Sequence, residues 1–578
     1  MTLYFGICYD EADPESSDIA AKERDNLASI LRPLGSTRII TRPNLIVIHT
    51  DIVESISECI VESGAEGGGD DFTIVNGDIT KHGHEISFRE TVELYHKDIS
   101  REDFDALCAY EGMYSSIHYT SKTNQCRVTT GKLGIRPVYI ARLGGIVVFA
   151  NTFWLIDRCS VLQKCSDIQA LAEDYYFFGS LEDRTAYRTV QRLEPGTVAV
   201  IQDLEVTKHR YYRLTGRPPA DGRPLEEAIA EAFKMAVRER QRNRPVAYSA
   251  LSSGLDSRSI VGVLRDQGVE VVTACFGYEG ELDLELSSRF AAVAGVEHHG
   301  IATEALYRPN WSMLMRNTFT DIQAGSTKLP PDTSMYWSGD DGSISLGYVY
   351  MRKDFLRKLA RDGVAGAFEA SGLVSDRLPR RLFASGMGDL FAGLASQGLT
   401  TCLENIPIAD MRWRWYVFVH ENRIHRMLDE HFETIHEHKL EMIAPFLDSR
   451  LFELVMSGDC ERDCEHELYH RVMEHLPASI SSVAWQAYRG HRPCPHPVDT
   501  EKSQWDSWGA GKSKRRHYKE LFMRYGEALL SGDAFPEMIF NKNTFRLYYY
   551  AYKFLNRDCE YIIYALHRIR NASRDASF

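Results

Sequence analysis

Residues 1 to about 210 alternate short apolar runs with turn chemistry. Leu3-Tyr4-Phe5-Gly6-Ile7, Leu45-Ile46-Val47-Ile48, Val138-Tyr139-Ile140-Ala141, Gly145-Ile146-Val147-Val148-Phe149 and Thr197-Val198-Ala199-Val200-Ile201 read as strands. Glu194-Pro195-Gly196 marks a turn. This half is expected to be an α+β domain built on antiparallel sheets. A Pro- and Gly-rich stretch, TGRPPADGRP at 215–224, reads as a linker. Beyond it Leu225, Ile229, Phe233 and Val237 recur every fourth residue, which predicts an amphipathic helix.

The pattern then changes to strand, helix, strand, helix. A lead at 245–248 runs into ALSSGLDSRS, residues 250–259, and a helix follows through Ile260-Val261-Gly262-Val263-Leu264. A second strand covers 269–276, a helix 284–294, and a short strand 298–301. That alternation predicts an α/β unit with a parallel sheet and crossover helices. Helical patterns dominate from about 350 to 578. The reading divides the chain into domains 1–214 and 225–578.

Composition narrows the class. The 578 residues are 44% hydrophobic and 26% charged, with a net charge of −14. That balance argues against a nucleic-acid or anionic-membrane partner, which needs a basic face. The one basic run, Lys512-Ser513-Lys514-Arg515-Arg516-His517, reads as a solvated helix start or loop. The N-terminus lacks the charged and apolar regions of a signal peptide, and no run of about 18 apolar residues is present. The twelve cysteines show no short-period framework. A cytoplasmic protein with reduced thiols is expected. Cys460, Cys464, His466 and His470 lack a second Cys-x2-Cys pair and are read as packing rather than a zinc site.

The loop at 252–257 is the main chemical signal. It sits between a strand and a helix, where small residues let backbone N–H groups approach an anion. It is not a Walker loop, because no Gly-Lys-Ser/Thr follows. Asp256 beside a phosphate would need a bridging cation, and Mg2+ suits that role. The competing reading is an ordinary helix start with Asp256 in its first turn.

Ser252-Ser253-Gly254-Leu255-Asp256-Ser257 resembles the pyrophosphate-binding SGGLDS loop of the asparagine synthetase superfamily, with Ser253 in place of the first glycine. Glu111-Gly112-Met113-Tyr114, Leu133-Gly134-Ile135-Arg136-Pro137-Val138-Tyr139 and Arg192-Leu193-Glu194-Pro195-Gly196 resemble that family's DGMF, LGIRPLY and RLPPG segments. Phe276-Gly277-Tyr278 and Ala444-Pro445-Phe446-Leu447-Asp448-Ser449-Arg450 resemble its second strand end and its VPFLDHR motif. The resemblance implies a class II glutamine amidotransferase-like (Ntn-type) sandwich followed by an adenine-nucleotide α-hydrolase-like (PP-loop) synthetase domain.

The family's second acidic motif, SGEGADELFGG, has two candidates. Ser385-Gly386-Met387-Gly388-Asp389-Leu390-Phe391-Ala392-Gly393 keeps the Leu-Phe-x-Gly tail and is favoured. Trp337-Ser338-Gly339-Asp340-Asp341-Gly342 offers adjacent carboxylates without such a tail. The resemblance thus implies ATP and pyrophosphate binding by Ser252, Ser253, Gly254, Asp256, Ser257, Phe276, Ser385 and Gly386, with Mg2+ on Asp256 and Asp389.

Glutamine-using members carry cysteine after the initiator methionine; here that position is Thr2. The first half is therefore expected to have lost glutaminase chemistry. Members with that loss include β-lactam synthetases, carbapenam synthetase and lasso-peptide cyclases, which deliver an amine already on the substrate. The implied reaction is attack of a substrate carboxylate on ATP, release of pyrophosphate, then amine attack on the acyl-adenylate with loss of AMP. A peptide or amino-acid-like substrate is expected, with macrolactam closure favoured because 300–380 carries no family motif and could widen the pocket. Ammonia-dependent amidation, small-ring closure and a noncatalytic nucleotide-binding homologue are the alternatives. A leader-peptide-binding protein and a protease are possible partners of a cyclase. The family's late lysine is missing from 484–495, where Arg489 or Arg492 could supply charge. Tyr336 and Tyr488 are candidates for the base that receives the amine proton.

Overall fold

The computed structural model describes residues 2–566, except 53–59, 63–69, 178, 243, 303–310, 326–328, 330–333, 371–378, 499–511, 532–534, 556, 558, 560–561 and 564–565. Part of the 300–380 stretch expected to widen the pocket therefore lies outside the described residues.

The first half is a sandwich of two six-stranded sheets. Thr2–Tyr9 runs in the middle of one sheet, antiparallel to Leu45–Asp51 on one side and Ile146–Ala150 on the other. The facing sheet is built around Tyr114–Thr120 and Gln125–Thr130. Tyr4, Val47, Ile74, Ile117, Val128 and Phe149 fill the space between the sheets. Helix Pro14–Leu31 covers the outside of one sheet and helix Phe88–Ser100 that of the other. Asp13 caps the first helix and Ser87 with Glu90 forms a capping box on the second. The α-β-β-α layering is the Ntn-type arrangement expected from the sequence.

The second half carries a five-stranded sheet in the order Glu297–Ala302, Glu270–Gly277, Val246–Ala250, Met335–Trp337, Glu441–Ile443. Every pair in it is parallel. The chain moves outward from Val246–Ala250 through the next two strands, then crosses back to place Met335–Trp337 on its other side. The switch point lies between those two strands, and ligand crevices open at their carboxyl ends.

Linker residues 215–224 are docked, not free. The N–H groups of Thr215 and Gly216 donate to Glu453, and Arg217 N–H donates to the Glu453 carbonyl. One continuous core joins the halves, running from Leu3 and Phe5 through Ile229 and Phe233 to Phe446 and Leu451. A second core holds Tyr175, Phe383, Phe391, Phe522, Phe540 and Phe545 beneath the C-terminal helices. No helix among the described residues is long and apolar enough to cross a membrane.

Candidate active site

Strand Val246–Ala250 ends in Leu251, and helix Leu255–Asp266 begins at the Gly254 N-cap. No side chain caps this helix, so its first N–H groups remain available at the crevice. The loop holds itself open by its own hydroxyls. Ser252 N–H donates to Ser257 Oγ at 2.9 Å, and the two hydroxyls lie 3.0 Å apart. Arg258, fully buried, donates to the carbonyls of Ser253, Gly254, Val483 and Ala484 at 3.0–3.2 Å. Burial pulls its guanidinium down to about 10. This one side chain fixes the loop against residues 483–486.

Ser253 explains the departure from the family's glycine. Its hydroxyl lies 2.7 Å from both Asp283 Oδ1 and the Gln486 side chain, and Gln486 N–H returns a bond to the Ser253 carbonyl at 3.1 Å. Serine here latches the loop to the late segment.

The loop, residues 338–343, Phe276 and residues 485–488 line a cavity of ≈ 500 Å³. Met315, Ile344, Val349 and Trp485 give it an apolar wall. Asp256 faces the crossing strand's loop, where Ser343 N–H and Oγ each donate to its carboxylate at 2.9 Å. Burial raises the Asp256 carboxyl to about 6, against the pull of Ser343 and Tyr469, while Asp341 adds to the rise. Burial likewise raises Asp340 and Asp341. Asp340 accepts from Ser338 Oγ at 2.5 Å, and Asp341 lies 3.2 Å from His420 Nδ1.

Asp389, expected to complete this site, is not among the residues that line the cavity. Gly386 instead precedes helix Met387–Asn405, and Asp389 occupies that helix's first turn. Leu382, Phe383 and Phe391 bury into the second core with Phe522 and Phe540. Of the Leu-Phe-x-Gly tail at 390–393, Phe391 packs into that core while Leu390 is exposed, and Ser385, Gly386 and Asp389 do not line the cavity. Asp340 and Asp341 stand beside Asp256 because Met335–Trp337 pairs with Val246–Ala250.

Arg489 is exposed and does not line the cavity, whereas Arg492 does. Tyr336 and Tyr488 both line it. Tyr336 is buried with its hydroxyl 3.3 Å from Ser312 Oγ, and burial raises its phenol further above its ordinary range. Tyr488 stacks on His466 with ring centroids 5.3 Å apart. Ser343, Asp283, His466, His470 and Gln486 belong to the site without having been singled out for it in the sequence.

No three His, Cys, Asp or Glu side chains among the described residues form a ready-made metal cluster, the Cys460–His470 group included. The donor set nonetheless suits Mg2+, which takes one or two carboxylates and completes its shell with phosphate and water. Asp256 and Asp340 offer hard oxygens to the same cavity and would hold that ion.

At the other end, Thr2 Oγ1 lies 3.2 Å from Asn76 Oδ1, and Asn151 Nδ2 donates to the Thr2 carbonyl at 2.9 Å. The motif 444–450 sits at the junction of the halves. Asp448 accepts from Arg240 at 2.8 Å and from Arg450, which also grips Glu239.

Residues 78–212 match the glutamine amidotransferase domain family, and residues 228–306 match the asparagine synthase family. An asparagine synthetase [glutamine-hydrolyzing] 1 of Bacillus subtilis is 24% identical over 202 residues, 34% of this chain and 31% of that protein. A protein of Methanocaldococcus jannaschii assigned as asparagine synthetase [glutamine-hydrolyzing] 2 is 25% identical over 198 residues, 33% of this chain and 38% of its own length. The chain thus spans about a third of the curated relatives it matches. Among solved structures, a glutamine phosphoribosylpyrophosphate amidotransferase from B. subtilis is 13% identical and covers 53% of this chain and 91% of its own, with a TM-score of 0.26. The two matches follow one another along the chain, so residues 78–212 are similar to glutamine amidotransferase domains and residues 228–306 to asparagine synthase.

Proposed function

We propose that this protein is an ATP- and Mg2+-dependent amide ligase that works through an acyl-adenylate and releases AMP and pyrophosphate. The reading rests on one observation. At the switch point of the parallel sheet, the Ser252–Ser257 loop and its helix N-terminus share a cavity with Asp256 and Asp340. Backbone N–H groups and serine hydroxyls there suit a polyphosphate, and the carboxylates suit its cation. Mg2+ held at Asp256 and Asp340 would neutralise the pyrophosphate as it leaves. The latch through Ser253, Gln486 and Arg258 orients the phosphate loop, and the apolar wall of Met315, Val349 and Trp485 shields an activated acyl group from water.

The amine is already on the substrate in this reading, because Thr2 rather than a thiol stands at the start of the first strand. The substrate is a peptide closed to a macrolactam, a choice supported by the apolar breadth of the cavity wall. The test is quantification of AMP and pyrophosphate with Mg·ATP and, in turn, glutamine, ammonium plus aspartate, or a short peptide encoded beside the gene. AMP formed with the peptide, and a product lighter by one water, is the expected result. Asp256→Ala should abolish it, while Thr2→Ala and Asp389→Ala should not. AMP formed only with ammonium would replace cyclisation by simple amidation. Equal turnover in all variants would sink the site.

A further inference from the structure

The cavity just described suits a polyanion, yet among the described residues it is lined by no lysine and by one guanidinium, Arg492. Arg492 is already paired with Glu467 at 3.1 Å. The other lining groups able to carry positive charge are His466 and His470. His466 is unusual in its setting. It takes a left-handed backbone, φ 69°, before helix Glu467–Met473. Its ring lies nearly parallel to Tyr469 (10°) and Tyr488 (25°), and its Nδ1 is 2.8 Å from His491 Nδ1. Gly347 makes room for it, since a Cβ there would stand 2.5 Å from His466 Nε2. Tyr469 ties the pair to the phosphate side of the cavity, because its hydroxyl faces Asp256.

We propose that His466 and Arg492, backed by His491 on the His466 ring, form a phosphate-binding clamp for the β- and γ-phosphates of the nucleotide, charged by one proton that the histidine pair takes up from solvent as the ligand binds. The inference rests on the ligase reading above. Two ring nitrogens 2.8 Å apart share one hydrogen, so the pair keeps its bond whether it is neutral or carries one added proton; a second added proton would force two donors together. Without ligand the pair is neutral near pH 7. Burial pushes His466 down to about 3, with His491 and His470 adding repulsion, and burial also lowers His491. The groups facing the pair are His470, Tyr469 and Tyr488 around His466, and Glu465, Arg352 and Tyr488 around His491, with Lys353 bound to Glu465. None supplies the anion that would hold the pair charged in the empty cavity except Glu465, which Lys353 already engages. A polyphosphate with its charges in the same cavity supplies it.

The experiment is calorimetric titration of the full chain with Mg·ATP at pH 7.5, in two buffers of different ionisation enthalpy. The native protein should take up about one proton per nucleotide, and AMP, which lacks the outer phosphates, should take up none. His466→Gln and His491→Gln should both lose the uptake and weaken Mg·ATP binding about tenfold, the equivalent of one pKa unit. His491 is half-buried where His466 is buried, so its variant serves if His466→Gln fails to fold. Binding without proton uptake, or uptake unchanged in His491→Gln, overturns the clamp and leaves the ligase reading standing. Failure of the native protein to bind Mg·ATP overturns both.

Discussion

Gly339 and Gly342 leave no space for a side chain beside Asp256. A Cβ on Gly342 would lie 2.7 Å from Asp256 Cγ, and one on Gly339 would lie 2.8 Å from the Ser257 nitrogen. Either substitution to alanine must push the acidic loop off the helix start. Gly342→Ala should therefore lower folding stability by about 1–3 kcal/mol and remove Mg·ATP binding, read by denaturant titration and calorimetry. Gly393, in the rival motif, meets nothing within 4 Å. It is exposed inside helix Met387–Asn405. Gly393→Ala should stabilise the protein by about 0.5–1 kcal/mol and leave nucleotide binding intact. Opposite outcomes at the two glycines would return the acidic motif to 385–393. At this same scale Ser253→Gly, which restores the family's residue, should free the latch to Asp283 and Gln486 at a cost of about 1 kcal/mol.

Short elements at the junction depend on groups from the other half. Helix Phe153–Asp157 has only five residues, and its Thr152 N-cap makes no side-chain bond. Its leading N–H groups are taken instead by Glu433, which accepts from Phe153 at 2.8 and 2.9 Å and from Trp154 at 3.3 Å. Burial pushes the Glu433 carboxyl up to about 7, the Phe153 bond opposes the shift, and Asp429 adds to it. An unfolded glutamate ionises at about 4.3. Between these values the unfolded chain sheds its proton first, so this group's contribution to stability falls as pH rises and levels off above 7. Glu433→Gln should remove that slope. From pH 5 to pH 8 the variant should gain on the native protein by up to about 3 kcal/mol in denaturant titrations. A pH-independent difference would remove the raised carboxyl from the account.

The two halves share a core and a buried charge network, so the whole molecule should unfold as one unit. Arg240 and Asp448 are both at most 2% exposed. Asp448 is held well below the usual carboxylate range by Arg450 and Arg240 despite its burial. Asp448→Ala strands the Arg240 charge in the interior and should cost about 3–5 kcal/mol. Far-UV circular dichroism and tryptophan fluorescence should report a single coincident unfolding transition for both halves. Two separated transitions would show that the continuous core from Leu3 to Leu451 does not couple them.

Periodicity made much of this fold readable. Parallel strands are short apolar runs, and the helices between them repeat every three or four residues. Val246–Ala250, Glu270–Gly277 and the helices between and after them therefore lie close to where the pattern put them. The Ser252–Ser257 loop was legible because its chemistry is local: small residues, hydroxyls and a carboxylate in one short run. The second acidic group was not. Two stretches offer Ser-Gly and Asp, and the one with the better tail spends its phenylalanine on the second core. Only strand pairing decides between them, and Met335–Trp337 is three residues long, too short to show a period. The late segment posed the same difficulty. His466, which lines the cavity, and His491, which bonds to it, are 25 positions apart and meet only in the folded chain. Sequence by itself determined the order of elements and the make-up of the Ser252–Ser257 loop, which depend on near neighbours. Tertiary structure decided which acids, histidines and arginines share that loop's cavity, because those contacts join residues distant along the chain.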